Sequence, residues 1–410
     1  MAGEKRAMAI SRKTPRSCLI ALLAYPTFAL GAAFYQFPVQ GAEVTDNGSA
    51  TDPAAVKADY LRKLAEYEDA RQKFEAIAQP YWNSISEKRR SRNAKRRNAE
   101  AIGLPDYVLD QPPVYQGPPK PVDPFPEAQQ IPSAPPKPIP LVEDMLRSAA
   151  EEFRFAPDRP KNEIEFKKAY ARFASDAGIT KDQAVRIYGF EAGGNGKFDV
   201  QAGLEYDTPG AHPISTALGY NQLLSTNSVE LMAEQGDRFL QLLGAKSKSL
   251  QGDVKTAFDA KLKIVRQMLD FSRSVPDDWS EHEKLANTPR GLAIHCLNLD
   301  IDVGPMLQTQ KLLDSILFAG RRGRTQPLTA AELEMMNLTG DGNGFDMISL
   351  PDDMRDQVPT SNFFQRNGYE RNSVAVSNNT VEKLVAATNR KMDKEAQLQG
   401  AGDLAAAFPG

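Results

Sequence analysis

The sequence predicts a mostly α-helical protein in which a helical, coiled arm and a proline-rich spacer lead into a larger helical domain. Three observations predict this class. Apolar residues recur at three- and four-residue intervals over long stretches. No run of alternating β-branched residues reaches useful strand length, leaving room for a minor hairpin only. Thirteen of the 29 prolines fall between Gly103 and Pro140, where that density blocks both helix and sheet ladders. The 410 residues suffice for two or three domains, and 25% charged with 41% apolar residues is the balance of a soluble chain with a core. A net charge of −3 favours no polyanionic partner for the whole molecule, and no nucleic acid is expected.

Residues 1–42 read as a signal peptide or an uncleaved signal anchor. Lys5, Arg6, Arg12, Lys13 and Arg16 precede an apolar run from Cys18 to Phe37, and small residues follow at Gly31-Ala32-Ala33 and Gly41-Ala42. Export to the periplasm or cell envelope is the expectation, with a membrane anchor if the segment is retained. Cys18 and Cys296 are the only cysteines, so the folded part holds one thiol and no internal disulfide.

Residues 43–102 form a polar spacer followed by a charged helical region. Tyr60, Leu64, Tyr67 and Phe74 recur near helical spacing, and Pro80 is expected to kink or split the helix. Seven of the ten residues Lys88–Arg97 are Lys or Arg. Behind an export signal this run reads as a solvated helix end, or as a contact for an anionic envelope surface. The linker at 103–140 is expected to be extended or to wrap the next domain through Tyr107, Tyr115 and Phe125. From 141 to 391 the pattern is helical, over 141–153, 163–176, 181–191, 227–243, 252–273, 280–287, 305–319, 330–338 and 380–391. Residues 392–410 read as a flexible tail.

The chemistry concentrates in three elements. In the first, Thr180 and Gln183 make a capping box that starts a helix near Lys181. Ala184, Ile187, Tyr188 and Glu191 then share one face, which puts a carboxyl on the apolar side at the last helical turn. Burial and the negative end of the helix dipole both disfavour its charged form. Gly193, Gly194 and Gly196 are expected to turn the chain away and leave room for a ligand. A carboxyl kept protonated near neutral pH suits glycosidic cleavage, where the leaving oxygen must receive a proton. The second element, Ile214–Ser228, offers small residues for close backbone approach. Tyr220, Asn221 and Gln222 would supply an aromatic face and amides to a saccharide groove, and Asn227 with Glu230 is expected to cap the next helix. The third runs from a Thr329/Glu332 capping box to a helix ending at Asn337, before a second glycine-rich loop.

In this order the trio resembles the lytic transglycosylase branch of the lysozyme-like superfamily. Glu191 matches that family's helix-ending acid. Ser215 with Ala217-Leu218-Gly219-Tyr220-Asn221-Gln222 matches its second motif, and Leu333–Gly340 matches the third loosely, with Asn337 on its asparagine. The chain departs from the pattern at Ala192, where the family has serine, and at Met336, where it has tyrosine. The resemblance implies a lysozyme-like domain over 141–391 that cleaves the bond between N-acetylmuramic acid and N-acetylglucosamine in peptidoglycan. Glu191 would be the single acid/base, and Tyr188, Ser215, Tyr220, Asn221, Gln222 and Asn337 would bind substrate. Asp199, Glu205 and Asp207 leave lysozyme-type hydrolysis open. The alternative is a non-catalytic wall-binding or scaffold protein with a degenerate groove. No cofactor or metal is expected: GNGK lacks the flanks of a phosphate loop, DGNGFD is out of EF-hand register, and His295 with Cys296 has no second ligand pair.

Overall fold

The computed structural model of the chain describes residues 52–125, 138–204 and 209–409. The expected export segment at 1–42, Cys18, the spacer centre at 126–137, and Glu205 and Asp207 lie outside the described residues. Among the described residues the protein is mostly helical, without a strand. Three isolated bridges occur, and Leu218–Leu223 is the minor hairpin pair. No described helix is long and apolar enough to cross a membrane.

Helix α1 (Pro53–Arg97) is capped by Asp52, whose side chain accepts from Ala54 N at 3.0 Å. It runs uninterrupted through Pro80, against the expected break. Pro80 is exposed, so the hydrogen bond it cannot make is lost on the solvent side of the helix. Docking of the following turns offsets that cost. Trp82, Ile85 and Arg92 are buried against the body.

The basic run is not a solvated end. Arg92 is fully buried. Its Nε donates to Asp346 Oδ2 at 2.9 Å and its Nη1 to Asp106 O at 3.0 Å. Asp346 also takes Arg96 and the Tyr107 hydroxyl. Lys95 pairs with Asp106 at 2.7 Å, Lys88 donates to Pro105 O, and Arg89 donates to the carbonyls of Asn362 and Phe364. Five of the seven cations are therefore engaged inside the molecule. Only Arg90 and Arg97 are left on the outside for an anionic surface.

The described first part of the spacer folds back on the molecule. Tyr107 is buried with Arg92 stacked 4.3 Å above its ring. Tyr115 packs edge-on against Tyr67 and Phe74 of α1.

The body comprises α2 (Val142–Phe153), α3 (Glu163–Asp176), α4 (Lys181–Ala192), α5 (Ser225–Lys248), α6 (Gly252–Ser272), α7 (Trp279–Ala286), α8 (Pro289–His295), α9 (Gly304–Arg321), α10 (Ala330–Thr339), α11 (Asp341–Ile348), α12 (Asp352–Arg355), α13 (Arg366–Arg371), α14 (Ser373–Ser377), α15 (Val381–Glu395) and α16 (Gln399–Ala407). One layer packs α5 against α6, α7 and α8, with α2 on α8. The other wraps α4 in α3, α10, α15 and α16, and α9 joins the two. Two sequence expectations are corrected. DGNGFD is the first part of helix α11, not a loop. The supposed tail forms α16, because Ala401 and Leu404 bury against α3 and α4.

Candidate active site

Helix α4 starts as its sequence dictates. Thr180 Oγ1 accepts from Gln183 N at 3.2 Å, and Gln183 Oε1 accepts from Thr180 N at 2.9 Å. The helix is then buried on nearly every side, so Ala184, Ile187, Tyr188 and Glu191 are all inside. It ends at Gly193, whose φ of 64° is the left-handed conformation that glycine adopts without strain.

Helix α10 begins with the Thr329/Glu332 box and a clamp from Arg324 Nη2 to both Glu332 oxygens, at 3.0 and 3.1 Å. Its last turns face α4. Asn337 Nδ2 donates to Glu191 Oε1 at 2.7 Å, joining the first and third sequence elements. One turn earlier, Glu334 sits with its carboxyl against that of Glu191. Glu334 is fully buried and Glu191 is 5% exposed.

Glu191 Oε2 and both Glu334 oxygens have no donor from another residue. Two ionised carboxylates cannot stay so placed, and a proton on Glu334 supplies the missing donor. Burial raises the Glu334 carboxyl well above its usual range, and the Glu191 charge and hydrogen bond raise it further. Burial also pushes Glu191 up, to about 7. The charges of Lys391 and Lys311 and the hydrogen bonds from Glu334 and Asn337 pull the other way. Burial and mutual repulsion therefore push the pair as a whole toward the protonated form.

Two half-buried lysines flank the pair. Lys391 on α15 donates to Phe190 O at 3.0 Å and lies 4.1 Å from the centre of the Phe190 ring. Lys311 on α9 also faces Glu230 of α5 and Asp341 of α11. Beyond it is an acidic wall. Burial, then the charge of Glu234, pushes Glu230 up to about 7. Burial raises Asp314, with the Asp341 charge adding to it, and burial raises Asp341 against the Ser315 hydrogen bond and the Lys311 charge. Among the described residues none of these carboxyls forms an ion pair. Functional sites are a place where perturbed acids gather in this way.

The remaining expected site residues lie underneath rather than beside the carboxyls. Tyr188 and Tyr220 are fully buried, with ring centres 4.6 Å apart. The Tyr188 hydroxyl donates to Gly196 O at 2.7 Å, and the Tyr220 hydroxyl donates to Glu163. Neither offers a ring face to a sugar. Asn221 is buried, with its backbone N–H donating to Gln308 Oε1 at 2.8 Å. Gln222, at φ 44°, turns the hairpin and donates to Gly219 O at 2.8 Å. Ser215 is half-buried, and its Oγ accepts from Ala217 N at 3.1 Å.

The second element thus works as a scaffold, hung on a buried polar spine. Asn298 Nδ2 donates to Ser228 Oγ at 2.9 Å, while Gln308 Nε2 donates to Asn298 Oδ1 at 2.7 Å and Leu218 O at 3.0 Å. His295 Nε2 donates to Thr216 O at 2.8 Å. Burial lowers this imidazole to about 4, so it stays neutral, with Nδ1 taking the Ser228 hydroxyl at 2.8 Å. Two further expectations change. Asn227 reaches back to Leu224 N as the third residue of α5, whereas Glu230 joins the acidic wall instead of capping. A Cβ on Gly194 would strike Glu395 O, so the space beside this glycine is filled by the α15–α16 junction, not kept for a ligand. Asp199 pairs with Arg159.

Sequence reasoning missed Glu334, Lys311 and Lys391. Only Glu334 left a signal, standing three residues before Asn337 on the same helical face. Comparison with protein-family models, curated proteins and solved structures finds no match.

Proposed function

We propose that the protein is an exported enzyme of lysozyme-like type that cleaves peptidoglycan glycan strands, with Glu191 as the sole acid/base. The observation that carries this reading is the Glu191–Glu334–Asn337 cluster: a buried carboxyl at a helix end, pushed by burial toward its protonated form and bonded by the asparagine of the third element. Glu191 gives its proton to the glycosidic oxygen as the bond to the anomeric carbon breaks. As a carboxylate it then takes the proton of the muramyl 6-hydroxyl, whose oxygen closes on the anomeric carbon to leave a 1,6-anhydro end. Glu334 keeps its own proton and steadies the carboxylate between the two steps.

Two-carboxylate retaining hydrolysis needs a separation of about 5 Å. Glu334, in contact with Glu191, is too close for that role, and Asp199 is held by Arg159. A second reading is a non-catalytic glycan-binding protein. The filled space beside Gly194 and the low exposure of Glu191 favour it. Muropeptide analysis of digested sacculi decides between them. Anhydromuramyl ends that disappear in Glu191→Gln are expected. Reducing ends would replace the mechanism with hydrolysis, and binding without release of fragments would establish the second reading.

A further inference from the structure

Away from the carboxyl pair, a cavity of about 180 Å³ opens between α1 and the segment leading into α13. Trp82, Asn83, Ser86 and Arg89 line it from α1, and Gln365 lines it from the other side. Arg89 anchors this seam by donating through Nη2 to Phe364 O at 2.8 Å and Asn362 O at 3.1 Å. Its Nε is buried with no acceptor, and the guanidinium forms no ion pair among the described residues.

The local charge count is lopsided. Arg89, Arg92 and Arg96 gather around the single carboxylate of Asp346, which Arg92, Arg96 and the Tyr107 hydroxyl already occupy. Arg366, on the cavity rim, is neutralised separately by Glu75 and Glu370. Burial draws the Arg89 guanidinium down to about 10, and the Arg92 charge acts in the same direction. A part-buried guanidinium with a buried, open Nε–H and the side-chain amides of Asn83 and Gln365 beside it is arranged for an anion.

We propose that this cavity binds a small oxyanion, a free phosphate or a small carboxylate, with Arg89 as its principal donor. Size limits the ligand. At about 30 Å³ per water the space holds roughly six waters, enough for such an anion and its hydration but not for a saccharide chain. The guanidinium fork suits both carboxylate and phosphate oxygens. The bound anion would supply the counter-charge that Asp346 alone does not, and so tie α1 to the body.

The test is calorimetric titration of the full chain with sodium phosphate and, separately, sodium acetate, each against sodium chloride at matched ionic strength. At least one oxyanion is expected to bind at one site per chain, and the tighter of the two names the source. Arg89→Lys, which keeps the charge and loses the fork, is expected to weaken binding at least tenfold. Asn83→Asp leaves the Arg89 anchor intact and sets a negative charge on the cavity wall, so it is expected to weaken binding at least as much even if the lysine variant folds poorly. Heats for both oxyanions equal to those of chloride overturn the proposal. So does oxyanion binding that Asn83→Asp leaves unchanged.

Discussion

Glu191→Gln should stabilise the protein at alkaline pH while removing the proposed acid. The carboxyl is moved by burial from its ordinary 4.5 to about 7. Between those two values the folded state binds the Glu191 proton more tightly than the unfolded chain does. Unfolding then releases a proton, and stability falls as pH rises. At about 1.4 kcal/mol per pH unit, this interval amounts to about 3 kcal/mol lost above pH 7. Glutamine has no charge to bury. Its oxygen can still accept from Asn337 and its amide can donate to Glu334, so the hydrogen bonding survives. Urea unfolding of both proteins at pH 4.5 and pH 8 provides the assay. The two should be nearly equal at the lower pH, and the variant more stable by about 3 kcal/mol at the higher. Parallel pH profiles, or a variant that is less stable at pH 8, would refute the account of a carboxyl held protonated by its surroundings.

Asn337→Ala removes a donor that favours the Glu191 carboxylate, and such a bond to a charged group contributes about 1.5–3 kcal/mol. The Glu191 titration midpoint, followed by NMR of labelled glutamate, should rise by about one pH unit or more; an unmoved midpoint rejects the bond's role. Gly194→Ala combines a φ of 69° with a clash against Glu395 O and should cost at least about 2 kcal/mol in urea unfolding. Gly178→Ala, at φ 87° with open space around it, is the control and should cost only about 1–2 kcal/mol. Arg92→Met leaves the Asp346 carboxylate short of a buried partner and should cost about 3–5 kcal/mol. Faster protease cleavage between residues 97 and 104 would mark the loosened seam, and wild-type resistance would count against it.

Local devices were legible in the sequence. The Thr180/Gln183 and Thr329/Glu332 boxes set both helix starts through contacts three residues apart, and the Glu191 face followed from helical spacing. What depended on distant partners was not. Pro80 stays helical because Trp82 and Arg92 dock beyond it. Residues 399–407 fold because Ala401 and Leu404 find α3 and α4, although their place in the last stretch of the sequence read as a flexible tail. The glycines after Glu191 read as a place for a ligand, yet at Gly194 the chain itself fills that place. Tyr220 looked like a stacking platform but is enclosed by Phe166, Tyr170 and Tyr188. That Glu191 faces another acid was signalled only by Glu334 sharing a helical face with Asn337, since the long stretch of chain between Glu191 and Glu334 carries no statement of distance.

The first half of α1 has a mechanical consequence. The helix meets the body from Phe74 and Glu75 onward, so about 20 residues project before the docked part. At about 1.5 Å per residue they form a strut of roughly 30 Å, braced along one side where Tyr115 leans on Tyr67. A pull on the Asp52 end is carried along the strut and meets the body first at the Glu75–Arg366 ion pair and at Trp82, before the arginine seam around Asp346.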